Sequence, residues 1–161
     1  MNIQIICIGK MKEKSATTLC QEYLKRISKY AKISITELQD EKFDKILSKN
    51  DIEKIKNIEC EKILEKISKI TNPYVISLDL TGNTYTSEKF SKNISNIATY
   101  SSSNLVFIIG GSLGLNEKIL KNSNDKMSFS TLTFPHQLIR IFLLEQIFRA
   151  FKISNNEIYH H

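Results

Sequence analysis

Glycine, proline and cysteine are all scarce in this 161-residue chain, at 5, 2 and 3 residues. So few glycines and prolines leave little room for long disordered linkers, and the length fits one domain over residues 1–161 with a single sizeable core. Cys7, Cys20 and Cys60 are odd in number and widely spaced, with no CxxC or Cys/His cluster. That argues against a bound metal and suits a reducing cytoplasm, where free cysteine packs as a small hydrophobe. No hydrophobic run approaches the length of a membrane span. The apolar stretch near the N-terminus is too short for the hydrophobic region of a signal peptide and lacks a basic start. A soluble, cytoplasmic protein is expected.

What the chain does have is an excess of positive charge, formally +6 with a pI near 9.2. Such an excess favours polyanionic partners, nucleic acid among them, because lysine and arginine displace counterions condensed on phosphates. The charge is not concentrated. Through Ile70 there are 15 Lys and Arg against 11 Asp and Glu, and after it 8 against 6. Neither half is a basic arm, so any surface for RNA has to be assembled by the fold.

Hydrophobic periodicity predicts alternating strands and helices. A β-branched run over residues 2–9 closes on glycine, and apolar residues at helical spacing follow from a cap at Ser15. A short strand is expected over residues 33–38 and an amphipathic, lysine- and glutamate-rich helix over residues 51–70. Further strands are expected at 74–80, 105–109 and 127–130, with helices at 87–100, 117–120 and 135–153. Pro135 is expected to fall in the first turn of the last helix. Strands that are uniformly apolar rather than alternating indicate a mainly parallel sheet with helices on both faces. Ligands gather beyond the carboxyl ends of such strands, which singles out the loops after Leu80 and Ile109 and the one around residues 129–134. The last helix is apolar over most of its circumference and so needs more neighbours than one sheet face. A two-fold homodimer with this helix at its interface is expected.

Several groups in these places can carry chemistry. Gly110-Gly111-Ser112-Leu113-Gly114 follows the most hydrophobic strand, where glycine permits close approach of a ligand and positive φ. Its spacing fits neither a P-loop nor GxGxxG. Phe129-Ser130-Thr131-Leu132-Thr133-Phe134 offers hydroxyls and backbone groups to a purine ring. On the last helix His136 and Arg140 share one face, as do Glu145 and Arg149, which can simply pair. The tail Glu157-Ile158-Tyr159-His160-His161 ends in groups able to stack and to exchange protons.

Taken together, these stretches resemble the ribosomal RNA large-subunit methyltransferase H family of the SPOUT superfamily. The resemblance covers essentially the whole chain. It is sharpest at Phe107-Ile108-Ile109-Gly110-Gly111-Ser112, at Ser128-Phe129-Ser130, and at Thr133-Phe134-Pro135-His136-Gln137 with Arg140, and it continues through Glu145-Gln146 to Tyr159-His160. It implies an α/β fold with a C-terminal trefoil knot, an exception to the rule that chains do not thread loops. It also implies a homodimer, S-adenosylmethionine as methyl donor and, on the assembled ribosome, N3 of a pseudouridine in 23S ribosomal RNA as target. Carried over residue by residue, Leu78, Gly110, Phe129, Ser130, Thr131, Leu132, Thr133 and Phe134 are implied to hold the cofactor. Tyr159 and His160 are implied to position the base and assist loss of its proton, with His136, Arg140 and Glu145 organising the site. Two positions depart from the family pattern: Asn155-Asn156 stand where glycine is usual, and His161 where lysine or arginine is usual. Asparagine tolerates left-handed backbone angles, so the turn before the tail is expected to survive. The competing readings are a SPOUT enzyme acting on another nucleotide, a non-catalytic RNA-binding protein of ribosome assembly, and a nucleotide-binding protein of the flavodoxin kind.

Overall fold

The computed structural model describes residues 1–43 and 48–159. Five strands, β1 (Asn2–Ile8), β2 (Lys32–Leu38), β3 (Pro73–Asn83), β4 (Asn104–Ile109) and β5 (Asp125–Met127), form one sheet in the order β2-β1-β4-β3-β5. Every neighbouring pair is parallel, the arrangement that the uniformly apolar strands predict. The helices are α1 (Lys14–Ile27), α2 (Lys49–Ile67), α3 (Ser87–Asn96), α4 (Glu117–Asn122) and α5 (His136–Ser154), and a π-helical segment over Ile97–Ser101 extends α3.

The two-residue period of a strand divides the core between the two faces of the sheet. Ile3, Ile5 and Cys7 of β1 and Phe107 of β4 pack with Cys20 and Ile27 of α1, Phe90 and Ile94 of α3, and Leu143, Leu144 and Ile147 of α5. Ile6 and Ile8 with Val106 and Ile108 pack against Cys60 and Ile63 of α2 and Ile119 of α4. Central β4 has five of its six residues buried. Each such side chain contributes about 1.5–3 kcal/mol on leaving water, which makes this the best-anchored strand and a firm base for the glycine turn after it.

Element boundaries depart from expectation where capping decides them. α1 starts at Lys14 with Glu13 as N-cap, so Ser15 lies within the first turn and caps nothing; the carbonyl of Glu13 accepts from Thr17 N at 2.9 Å. α2 opens two residues before Asp51, because Ser48 and Asp51 form a reciprocal capping box that satisfies two otherwise orphaned N–H groups. It closes at Ile67, and Asn72 turns the chain into β3 at φ 46°. β5 covers residues 125–127 rather than 127–130. Asp125 and Lys126 are in register with Ile76 and Ser77, while beyond Met127 the Ser128 N–H bonds to Asn83 O and the chain leaves the edge. Pro135 is the N-cap of α5 rather than its first helical residue, and its carbonyl accepts from the N–H groups of Leu138 and Ile139.

The apolar circumference of α5 is explained mostly within the chain. One face, Leu143, Leu144, Ile147 and Ala150, is buried in the core. Phe148 meets Tyr23 of α1 edge-on at 6.3 Å, Phe151 stacks on Tyr30 at 5.5 Å, and Ser91 of α3 donates to Ala150 O. What stays open is the stripe of Leu138 and Phe142, together with Phe134 just before the helix. Asn156 adopts φ 53° after the helix, the left-handed turn that asparagine was expected to tolerate in place of glycine.

Candidate active site

Two clefts meet at the carboxyl ends of β3, β4 and β5, separated by the chain leaving β5. The larger, of ≈ 920 Å³, lies between the ends of β3 and β4, the glycine turn and residues 128–136. Leu78, Gly110, Phe129, Ser130, Leu132, Thr133 and Phe134 all line it. Thr131 is exposed and is the only residue of segment 129–134 missing from that wall. The size falls in the range of small-molecule and cofactor sites, and mostly apolar walls with a few polar groups are their usual form. The smaller cleft, of ≈ 450 Å³, opens between the start of α3, β5 and the middle of α5. The two share Met127, Ser128, Phe129, Ser130 and Phe134 as a common wall.

The wall is shaped by its own hydroxyls. Ser128 Oγ donates to Ser130 O at 2.7 Å, and Ser130 Oγ accepts from Leu132 N at 3.0 Å. These side chains therefore fold the loop by pairing the Ser130 carbonyl and the Leu132 N–H. Opposite them the glycine turn closes through Gly114 N to Gly111 O at 3.1 Å, with Gly114 at φ 79°. A Cβ on Gly110 would stand 3.0 Å from the Gly114 carbonyl carbon and 3.1 Å from Leu115, so a side chain there would press on the turn and shift it by a few tenths of an ångström. Beneath the turn lies Glu59 of α2, a buried carboxyl whose pKa is raised by burial and which accepts from Glu41 N. Sequence reasoning missed it; within a lysine- and glutamate-rich helix nothing distinguishes Glu59 from its exposed neighbours.

The residues expected to organise chemistry fall into two groups. His136 and Arg140 stand at the head of α5. His136 lines the larger cleft, half-buried, with Gly9 so close that a Cβ there would lie 3.1 Å from Nε2. Its pKa is lowered, by burial first and then by the positive charges of Arg140 and Lys12, against the opposing pull of Asp40. Arg140 is fully buried. Its guanidinium donates to Glu37 Oε1 at 2.6 Å and to the carbonyls of Gly9 at 2.5 Å and Ile8 at 3.3 Å, while its Nε has no partner among the described residues. It fastens the head of α5 to the end of β1. Its partner Glu37 was also missed, being a single acid at the end of a short apolar strand.

Glu145 and Tyr159 form the second group, at the smaller cleft. Glu145 Oε1 accepts from Arg149 Nε at 2.9 Å, from Arg149 Nη2 at 2.7 Å and from the Tyr159 hydroxyl at 2.6 Å, while Oε2 accepts from Gln146 Nε2 at 2.6 Å. The Tyr159 ring lies over the Arg149 guanidinium at 4.3 Å and meets Phe148 edge-on. Burial, and then the bond to Glu145, push the phenol up to about 12. At neutral pH it is a hydrogen-bond donor and not a base. The expected pairing of Glu145 with Arg149 is present. His160 lies outside the described residues. Among those residues no group of three or more His, Cys, Asp or Glu could hold a metal ion, and no helix is long and apolar enough to cross a membrane.

Residues 1–160 match the family described as Predicted SPOUT methyltransferase. The chain belongs to the SPOUT methyltransferase family. As a SPOUT methyltransferase it is an enzyme, and its parallel sheet with flanking helices is shared by solved relatives of low sequence identity. A probable methylase family protein from Haemophilus influenzae Rd KW20 superposes with a TM-score of 0.56 at 11% identity, over 99% of this chain and 71% of that one. The TrmH/SpoU tRNA modifying enzyme of A. aeolicus gives 0.51 at 10% identity, over 96% and 77%. Among curated proteins, the chain is 53% identical over 160 residues to the protein named Ribosomal RNA large subunit methyltransferase H from Clostridium botulinum (strain Eklund 17B / Type B), covering 99% of both. It is 48% identical, again over 99% of both, to the protein of that name from Listeria monocytogenes serovar 1/2a.

Proposed function

We propose that this SPOUT methyltransferase uses S-adenosylmethionine to methylate N3 of a pseudouridine in 23S ribosomal RNA on the assembled ribosome, acting as a cytoplasmic homodimer. The observation that carries the reading is the full-length identity to proteins named Ribosomal RNA large subunit methyltransferase H. Support for the cofactor comes from the larger cleft, which has the volume of a cofactor site and mostly apolar walls with a few polar groups. Leu78, Gly110, Phe129, Ser130, Leu132, Thr133 and Phe134 would hold it there. When bound, it supplies an electrophilic methyl group on a positively charged sulfur.

The residues of the chain then have to hold the acceptor in line and take up the N3 proton; positioning supplies much of the rate and a nearby base adds to it. His136, kept neutral by burial and by its cationic neighbours, is suited to accept that proton beside the larger cleft. Arg140 organises the same corner by fixing α5 to β1. Tyr159, whose O–H is donated to Glu145 Oε1, keeps its ring and a phenol oxygen lone pair for positioning the base, and with His160 it assists loss of the N3 proton, as the family resemblance implies. The open stripe of Phe134, Leu138 and Phe142 favours a second copy as the partner of α5. The C-terminal trefoil knot is part of the same reading and rests on the family resemblance.

The test is to incubate the protein and methyl-labelled cofactor with ribosomes carrying pseudouridine, with ribosomes lacking it, and with free transfer RNA. Label is expected on large-subunit RNA of the first sample only. Label on transfer RNA but not on ribosomes rejects the substrate assignment.

A further inference from the structure

Asp79 and His136 are the only titratable residues lining the larger cleft, and no lysine or arginine lines it among the described residues. His136 is held neutral by burial and by its cationic neighbours. At neutral pH the one standing charge on the cleft wall is therefore the carboxylate of Asp79.

Strand β3 places it there. The buried stretch of the strand ends at Ser77, Leu78 and Asp79 follow half-buried, and Leu80 and Thr81 are exposed. One oxygen of the carboxylate is occupied within the chain: Asp79 Oδ1 accepts from Thr81 N at 2.9 Å and from Thr81 Oγ1 at 2.6 Å. The amide oxygen of an asparagine would accept the same two bonds. The turn thus accounts for one oxygen and leaves the charge unexplained. No hydrogen bond or ion pair from the described residues reaches Oδ2.

A ligand that fills the cleft displaces water from around this carboxylate. Beside a neutral or anionic group the charge would be desolvated without compensation, whereas a fitted cation offsets that cost. Phosphate is repelled. S-adenosylmethionine carries two cationic groups, a sulfonium and an α-ammonium. The sulfonium is screened by its three carbon substituents and has no hydrogen to donate. The ammonium presents three N–H donors and forms charge-assisted bonds to a carboxylate.

We propose that Asp79 is a cofactor-binding residue that takes the α-ammonium of S-adenosylmethionine through Oδ2, while Oδ1 keeps the turn folded. The inference rests on the reading of the larger cleft as the S-adenosylmethionine site. It adds a contact that the glycine turn and segment 129–134 cannot make, since neither contains a charged side chain. The demethylated product keeps its ammonium, so Asp79 anchors the amino-acid end of both forms and does not tell them apart.

Calorimetry tests the assignment. Wild-type and Asp79→Asn proteins are titrated with S-adenosylmethionine, with S-adenosylhomocysteine, and with the analogue of S-adenosylhomocysteine that lacks the amino group. Asparagine keeps an acceptor for Thr81 and loses only the charge. The variant is expected to bind the first two ligands about tenfold more weakly than the wild type, in the range of a hydrogen bond to a charged group. It should bind the deaminated analogue no more weakly than the wild type does, which is the coupling expected of two groups in direct contact. That unchanged arm also shows that the variant cleft is folded. A loss for S-adenosylmethionine alone would place Asp79 at the sulfonium and overturn the proposal. Equal losses for all three ligands, or no loss for any, overturn it as well. Failure of the wild type to bind either natural ligand rejects the cofactor reading and this inference together, whereas wild-type binding that Asp79→Asn leaves unchanged rejects the inference alone.

Discussion

The two ends of α5 are built to different rules, and the contrast explains how one helix serves two clefts. At its head, Arg140 is fully buried and donates its hydrogen bonds to Glu37 and the carbonyls of Ile8 and Gly9. His136 beside it is desolvated and held neutral against the larger cleft. Further along, the stripe of Leu138, Phe142, Glu145 and Arg149 turns away from the core. Its polar members hold Tyr159 in a partly exposed cluster at the smaller cleft. The head is fixed by burial, whereas the second cluster is assembled by side chains that meet only once the tail has folded back. A rigid corner suits a cofactor pocket, and a surface cluster suits a site that must admit a large RNA.

The largest effect that can break this contrast is expected from the head. Replacing Arg140 with leucine leaves Glu37 with only the Met11 N–H and removes the guanidinium from the Ile8 and Gly9 carbonyls, and should cost about 3 kcal/mol of stability in urea unfolding. A loss below about 0.5 kcal/mol would show that the head is not held by this group. Next comes Tyr159→Phe, which removes only the hydroxyl donated to Glu145. It should lower kcat about tenfold to a hundredfold, the order of a small misplacement at the reacting centre, with cofactor affinity intact. Gly110→Ala should weaken cofactor binding about tenfold, because the added Cβ must displace the turn at Gly114; calorimetry measures it.

A smaller effect is expected from pH. His136 has its pKa lowered from 6.5, so the unfolded chain binds more protons than the folded one as pH falls through that range. Its contribution therefore destabilises the protein on acidification below about 6.5 and vanishes above it. If its free base accepts the proton, the acid limb of kcat/KM lies below 6.5 and is lost in His136→Asn. A limb at or above 6.5 in the wild type contradicts the desolvated setting. Smallest of all is Thr131→Ala, expected to change cofactor affinity less than about twofold, as Thr131 lies outside the cleft wall.

The parallel sheet was legible because β1 and β4 are apolar on both faces, a pattern that only a doubly covered strand tolerates. The larger cleft was legible because a glycine turn after the strongest strand marks a carboxyl end. The family resemblance supplied the knot, the cofactor and the roles of the tail, none of which spacing alone could give. Boundaries set by a single hydrogen bond were not readable: the α2 cap at Ser48 lies outside the apolar period, and β5 is defined by its register with Ile76 to Leu78. The partners Glu37 and Gln146 were hidden for a related reason. Their importance comes from contacts 103 and 59 residues distant in the chain, Arg140 for the first and Ser87 for the second.

The division of labour along α5 is tested most directly by titrating S-adenosylmethionine into Gly110→Ala and Tyr159→Phe proteins by calorimetry. The account predicts that Gly110→Ala loses about tenfold in affinity and that Tyr159→Phe stays within about twofold of the wild type. Equal losses in the two proteins, or a loss in Tyr159→Phe alone, would contradict it.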